Sequence, residues 1–198
     1  MLFVSIVVFA ISELAPGDVL FFNGQIIHGK SMSAMETLRD KAQKAKKIAI
    51  IGGGFIGAEF ADELCKNSDV EIHLIEMMPQ LLFTAFDDEF CDEISHILVK
   101  SGVTIHFGNR VASIGGNQNV ESITLQTGLK IPVDMVLVSI GAKPATQLAR
   151  EAGLRIVEND SSWVDEYMRT TADDVFAVGD CALKRDFFTR KAAPVWLA

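Results

Sequence analysis

One stretch of this 198-residue chain limits its fold more than any other: KKIAIIGGGFIGAEFADELCKNSDVEIHLIE, residues 46–76. An apolar run leads into Gly52, Gly54 and Gly57, a helical pattern follows, and a second apolar run ends on Glu76. The pattern G-x-G-x-x-G is weak evidence alone, because glycines occur in many turns. Here it lies between a predicted strand and a predicted helix, and an acid follows nineteen residues after the last glycine. This context is typical of a dinucleotide-binding unit.

Each position in this stretch has a physical reason. Gly52 permits a tight turn, Gly54 removes the Cβ that would keep the backbone away from a pyrophosphate, and Gly57 lets the helix pack closely on the strand. The anion then lies on free N–H groups at the positive end of the helix. We expect Glu76 to accept hydrogen bonds from the adenosine ribose and to repel a 2′-phosphate. Neither of the next two residues is an arginine. NAD(H) is therefore favoured over NADP(H), and a structural turn without a ligand is the alternative.

Hydrophobic periodicity predicts an α/β fold of the Rossmann type, a parallel sheet with a β-meander. After residues 46–76 we predict a second amphipathic helix that begins near Phe86 and ends before Gly102. A third parallel strand over 103–107 then completes a right-handed crossover unit. Close spacing of the next strands favours an antiparallel meander. Its predicted strands are 111–114, 120–126 and 135–140.

The flanking segments are predicted to contain less regular structure. We interpret the apolar run at 4–9 as a buried strand and not as a signal peptide, because no basic segment precedes it. It is also shorter than the roughly 20 residues that a membrane-spanning helix needs. The predicted elements are a strand over 4–9, a hairpin around 19–24, a helix over 33–44, a short helix over 146–152 and a strand over 174–180.

Composition and charge exclude several classes of protein. The formal net charge is −8 and the pI is about 5.0, which argues against nucleic-acid binding because phosphate contacts need clustered Lys and Arg. Cys65, Cys91 and Cys181 form no C-x-x-C pair, so a disulfide scaffold is not expected and a cytoplasmic location is the default. The four histidines show no ligand spacing. No metal site and no membrane role are therefore predicted.

Three motifs in order carry a family resemblance: IAIIGGGFIGAEFADEL, VDMVLVSIGAKPAT and VDEYMRTTADDVFAVGDCA. Together they resemble the FAD-dependent pyridine nucleotide-disulfide oxidoreductases, especially the NADH oxidase and coenzyme A-disulfide reductase branch, over roughly residues 30–185. The resemblance implies an NAD(H)-binding domain over 31–144, with 1–30 and 145–198 as incomplete FAD-binding-domain segments. Such a chain is the NADH-binding portion of an oxidoreductase that passes hydride from NADH to FAD.

The resemblance also implies roles for single residues at the NADH site. Phe55 and Ile56 join the three glycines of the fingerprint around the pyrophosphate, and Glu76 holds the ribose. Gly141 matches the family glycine whose backbone passes the nicotinamide end of the cofactor.

Further matched residues concern the flavin. Glu59 matches the family glutamate near the nicotinamide and the flavin edge, and it is the one catalytic candidate. By helix position alone Glu59 is a solvated carboxylate in the first helical turn. Gly179 and Asp180 match the pair at the flavin phosphate and ribityl chain. A core strand that ends in a turn is the alternative for that segment.

The chain also departs from the family pattern. No G-x-G-x-x-G precedes Gly52, and none of the three cysteines matches the redox thiol. We therefore expect a fragment or truncated relative that is weak or inactive alone. A homodimer or a partner chain would supply the rest of the FAD site.

Other functions remain as alternatives to this interpretation. The main one is a flavin-free NAD-sensing or partner-binding module. A stand-alone dehydrogenase is disfavoured, because the residue four positions after Tyr167 is Thr171 and not lysine. An S-adenosylmethionine methyltransferase is disfavoured by the three strict glycines and the final AVGD motif.

Overall fold

The structure is a computed structural model, which describes a set of ranges along the chain. They are 20–22, 25–27, 39–66, 69–117, 119–141, 146–157, 161–185, 188–189 and 192–194. The chain divides into two compact units, and the larger unit ends at Gly141. The strand predicted over 4–9 lies outside the described residues. So does the first part of the helix predicted over 33–44, whose residues 39–42 are helical.

The larger unit is built on a six-stranded mixed sheet. Its strands are β1 (Leu20–Phe22), β2 (Gln25–Ile27), β3 (Lys47–Ile51), β4 (Glu71–Ile75), β5 (Val103–His106) and, after a separate meander, β9 (Met135–Val138). The strand order is β2-β1-β9-β3-β4-β5. Strands β9, β3, β4 and β5 run parallel, whereas β1 is antiparallel to β2 and to β9. The antiparallel pairing of β1 and β2 confirms the predicted hairpin.

Two helices cover one face of this sheet. They are α1 (Phe55–Cys65) and α2 (Asp88–Lys100), close to the predicted positions. Small side chains on α1 and the apolar stripe of α2 share one buried cluster with the sheet; its members include Ala58, Ala61, Leu98, Ile50, Leu74 and Leu137. This packing confirms the predicted α/β layers.

A three-stranded meander covers the opposite face. Its strands are β6 (Val111–Gly116), β7 (Val120–Leu125) and β8 (Lys130–Pro132), which pair antiparallel in sequence order. Their apolar side chains form a second buried cluster with the sheet, which includes Ile123, Leu125, Ile131, Ile51, Ile75 and Val136. The sheet is therefore covered on both faces.

The prediction that residues 135–140 belong to the meander is wrong. Strand β9 lies in the main sheet, parallel to β3, with Met135 opposite Ile48. All four of its residues are buried, because a central parallel strand has both faces covered and reads as a continuous apolar run. The third meander strand is β8, whose Pro132 is tolerated because β8 is an edge strand.

The smaller unit contains short elements. They are α3 (Gln147–Glu151), β10 (Ser162–Trp163), β11 (Ala182–Arg185) and β12 (Ala192–Pro194). Helix α3 confirms the helix predicted over 146–152. The strand predicted over 174–180 is wrong, because only Phe176 forms an isolated bridge there and Gly179–Cys181 form a 3₁₀ turn. Phe176 and its apolar neighbours Val175 and Val178 are exposed, so the described residues do not cover this apolar run as they would cover a core strand.

Within the described ranges, no helix combines the length and the apolar character that crossing a bilayer requires.

Candidate dinucleotide-binding site

The glycine turn connects the end of β3 to the start of α1. The N–H of Gly52 donates to Ile75 O at 2.8 Å, which ties the turn to β4. Gly52 has a φ of +105°, a conformation that L side chains rarely adopt. A Cβ at this position would also lie 2.3 Å from Ser139 O. The tight turn predicted for Gly52 is present, and it requires glycine.

Gly57 and Gly54 lie on either side of the helix start and have opposite surroundings. A Cβ on Gly57 would lie 1.8 Å from Gly52 O, so helix and turn meet backbone to backbone. A Cβ on Gly54, the N-cap residue, would have no atom within 4 Å. The first N–H groups of an α-helix have no intrahelical acceptor. Open space beside Gly54 therefore adjoins free backbone donors, which is where the sequence predicts the pyrophosphate.

Glu76 follows β4 directly and lies against the glycine turn. It is 8% exposed, and its N–H donates to His106 O at 3.0 Å. Its carboxylate accepts two backbone hydrogen bonds, from Gly53 N–H at Oε2 and from Met78 N–H at Oε1. A carboxylate has about four acceptor positions, so two remain for a ligand. The structure thus brings the predicted acid and the predicted anion site together.

Gly53, the middle glycine, has no role in the sequence-based prediction. A Cβ here would lie 2.5 Å from Leu81 Cδ2 and 3.0 Å from Glu76 Oε2. The carbonyl of Gly53 accepts the N–H of Leu82 at 2.9 Å. The uninterrupted run of three glycines in the sequence is the signal that another close contact exists at this position.

Ser139, at the end of β9, is a second residue that the sequence-based prediction missed. Its N–H donates to Ile51 O at 2.7 Å. Its hydroxyl lies 3.0 Å from Ile51 O and 2.9 Å from Gly52 O, and the residue is 8% exposed. A polar residue at the carboxyl end of a buried apolar strand, in MVLVSI, is the signal that could have indicated it, because ligands bind at that edge of a parallel sheet.

The other residues assigned to NADH lie on α1 and beyond β9. Phe55 is exposed, and its ring contacts Phe86 edge to face at 5.6 Å between centroids. Ile56 is half-buried in the first turn of α1, and Gly141 is exposed with a φ of +120°. Glu59 is exposed in the second turn. The expectation that Glu59 lies in the first turn is wrong, because α1 begins at Phe55 and that turn holds no acid.

The flavin candidates lie in the smaller unit. Gly179 begins the 3₁₀ turn with a φ of +80° and is exposed. The side chain of Asp180 lies outside the described residues. Their roles at a flavin stay predictions.

The environments of Cys65 and Cys91 do not favour redox chemistry. Cys91 is fully buried, and burial followed by the nearby Asp88 carboxylate raises the pKa of its thiol. Burial and then Asp62 likewise raise the pKa of Cys65. Because the thiolate is the reactive form, a raised pKa makes both thiols poor nucleophiles. Across the described ranges, no group of three His, Cys, Asp or Glu side chains is placed to hold a metal ion.

Comparisons with known proteins agree with this geometry. Among curated proteins, a rubredoxin-NAD(+) reductase from Alcanivorax borkumensis is 33% identical over 85% of this chain and 42% of its own length. Among solved structures, a NAD-dependent persulfide reductase from A. fulgidus has a TM-score of 0.76 and 32% identity, over 90% of this chain and 35% of its own. The water-forming NADH oxidase from Lactobacillus brevis, bound to NADH, has a TM-score of 0.74 and 26% identity, over 91% and 42%.

The chain spans less than half the length of each of these relatives. A family model described as pyridine nucleotide-disulphide oxidoreductase matches residues 13–194, which is nearly the whole chain. The glycine turn, the acid beside it and this match agree, and the chain belongs to the pyridine nucleotide-disulphide oxidoreductase family.

Proposed function

We propose that this chain is the NADH-binding portion of a flavin-dependent oxidoreductase in which NADH passes hydride to FAD. One observation carries the proposal. The Glu76 carboxylate accepts a hydrogen bond from Gly53 N–H, and the space beside the neighbouring Gly54, at the start of α1, is open. A dinucleotide needs an anion contact and a sugar contact next to each other. The turn offers the anion contact at Gly54, and Glu76, which lies against the turn, offers the sugar contact.

The binding mode follows from the donors and acceptors present. The pyrophosphate accepts hydrogen bonds from the first amides of α1, at Phe55 and Ile56, where the helix dipole is positive. The ribose hydroxyls donate to the remaining acceptor positions of Glu76. A 2′-phosphate in that place would be repelled by the carboxylate, and the segment 77–87 contains no Arg or Lys to offset the repulsion. NADH is therefore preferred over NADPH.

The nicotinamide end of NADH is assigned from the family resemblance. Glu59 and Gly141 belong to the larger unit and are exposed, so both are accessible to a ligand. Glu59 would contact the nicotinamide, and the backbone of Gly141 would border it. The protein contributes orientation in this scheme, while the cofactor supplies the hydride.

The turn at Gly179 matches a flavin contact of the family. Following the family resemblance, we propose that a second copy or a partner chain supplies the rest of the FAD site, and that this chain alone is weak or inactive. Flavin absorbance in a complex with that partner separates this proposal from a flavin-free NAD-binding module.

The three free cysteines support a cytoplasmic location.

Calorimetric titration of the purified chain with NADH and NADPH tests the proposal. We expect NADH to bind at least tenfold more tightly than NADPH. Replacing Glu76 by Ala should weaken NADH binding by about tenfold, because it removes hydrogen bonds to a charged acceptor. The matched control is Glu63→Ala, which removes an exposed α1 carboxylate paired with Lys66 and should leave the affinity unchanged. No NADH binding at millimolar concentration would reject the proposal.

A further inference from the structure

We propose that Ser139 is a positioning residue for the dinucleotide site, and that it acts through the peptide bond between Gly52 and Gly53. We call this peptide group, with the C=O of Gly52 and the N–H of Gly53, the turn peptide. The inference rests on the proposed NADH-binding function and adds a specific residue to it. Ser139 directly follows β9 and lies 87 positions after Gly52 in sequence, so nothing local in the glycine motif indicates it.

The turn peptide is hydrogen-bonded at both of its polar groups. Its carbonyl, on Gly52, lies 2.9 Å from Ser139 Oγ, and its N–H, on Gly53, donates to Glu76 Oε2. Because a trans peptide is planar, its C=O and N–H point in opposite directions. The serine hydroxyl and the glutamate carboxylate therefore hold one rigid plane from opposite sides.

This arrangement matters because two glycines flank the turn peptide. Glycine populates positive and negative φ about equally, so sequence alone does not fix the orientation of this plane. If the plane rotated, Gly53 N–H would leave Glu76, and the carboxylate would lose one of the two donors that aim it. Ser139 thus holds the acid in place for the ribose through a bond that it makes to the turn.

A simpler explanation is that the buried Ser139 hydroxyl only needs a hydrogen-bond acceptor inside the protein and has no effect on the turn. Ile51 O, its other candidate acceptor at 3.0 Å, already accepts the N–H of Ser139. Within the part of the chain that the structure describes, Gly52 O accepts no backbone N–H. We therefore infer that the hydroxyl donates to Gly52 O, and that this hydrogen bond fixes the orientation of the turn peptide.

The first test compares Ser139→Ala with Ser122→Ala by NADH calorimetry. Ser122 is also buried, at 5% exposed, but lies in the meander strand β7. Both variants lose one buried hydroxyl, so equal melting temperatures would show equal structural cost. We expect Ser139→Ala to weaken NADH binding by about fivefold, equal to about 1 kcal/mol, and Ser122→Ala to leave it unchanged. Equal affinities for the two variants would overturn the proposal.

A double-mutant cycle with Glu76→Gln tests the route of the effect. Both substitutions act on the same turn peptide, so their effects should overlap. If the single variants lose about fivefold and about tenfold, the double variant should lose about 15-fold. A loss of about 50-fold, the product of the two, would show independent effects and would overturn the inference.

The amide resonance of Gly53 supplies a test without any ligand. In the wild-type protein this proton should lie downfield, as expected for a donor to a carboxylate. In Ser139→Ala it should move upfield, while in Ser122→Ala it should stay. An unmoved Gly53 signal in Ser139→Ala would overturn the proposal. A moved signal in a protein that does not bind NADH would instead support the role of Ser139 in the turn and reject the NADH function.

Discussion

Gly54 and Gly57 are three residues apart and differ in what a side chain would meet. At Gly57 an added methyl group would collide with a backbone oxygen, whereas at Gly54 it would enter open space. Gly54 has φ −74° and ψ −171°, which alanine adopts without strain. One glycine is therefore required by the fold, and the other by the proposed ligand.

The two alanine substitutions should separate these requirements. Gly57→Ala should lower the free energy of unfolding by about 2 kcal/mol or more, since backbone must move to make room. Gly54→Ala should change it by about 0.5 kcal/mol or less, yet weaken NADH binding about tenfold because its Cβ occupies the pyrophosphate position. Urea denaturation and calorimetry measure the two quantities. Unchanged NADH affinity in Gly54→Ala would contradict the assignment of that space to the pyrophosphate.

At the residue scale, the sequence indicates contacts that arise within one strand–turn–helix–strand unit. Gly52, Gly57 and Glu76 belong to such a unit, and their spacing alone predicts their arrangement. Ser139 reaches the turn from 87 positions away. Its contact depends on where β9 lies in the sheet, and the spacing of the glycine motif carries no information on that.

At the element scale, the wrong prediction for β9 shows which sequence signal identifies the sheet to which a strand belongs. Short spacing between strands predicts a meander, but spacing does not say which strand completes it. MVLV has no polar alternation, and all four side chains are buried, as in a strand covered on both faces. Residues 174–180 show the opposite case, because the apolar run VFAV predicts a core strand whereas Val175, Phe176 and Val178 are exposed.

Strands β4 and β5 carry a pair of histidines on the meander-facing side of the sheet. His73 Nδ1 lies 3.1 Å from His106 Nε2, and His73 Nε2 lies 2.9 Å from Glu71 Oε1. Glu71 also pairs with Lys47 of β3 at 2.8 Å. Burial, and then the neighbouring His73, lower the pKa of His106 below its usual value. Protonation of His106 is therefore easier in the unfolded chain.

This difference predicts a pH dependence of stability. As pH falls below about 6.5, the usual pKa of histidine, the unfolded chain takes up a proton that folded His106 takes up only at lower pH. The free energy of unfolding should therefore decrease in this window. Urea denaturation between pH 7.5 and about 5.5 measures the slope. His106→Gln should reduce it, whereas His96→Gln, at an exposed position of α2, should not. Equal slopes in both variants would contradict this account.

At the scale of the whole molecule, the larger unit contains the complete candidate NADH site, whereas the smaller unit contains only part of a candidate flavin site. The larger unit has a sheet covered on both faces and a glycine turn with its acid. The smaller unit leaves several large apolar side chains exposed, among them Tyr167, Phe176 and Val178. The chain also spans less than half of the relatives it matches. NADH binding is therefore the activity to test on this chain alone, and hydride transfer to flavin is the one to test with a partner.

Backbone-amide NMR with added NADH tests the central claim most directly, because it reports on every part of the chain at once. We predict that the largest shift changes fall on residues 54–57 at the start of α1 and on Glu76, with smaller changes in the meander strands β6 to β8. NADH that shifts the meander most, or that leaves the amides of residues 54–57 unchanged at millimolar concentration, would contradict the claim that this turn binds the dinucleotide.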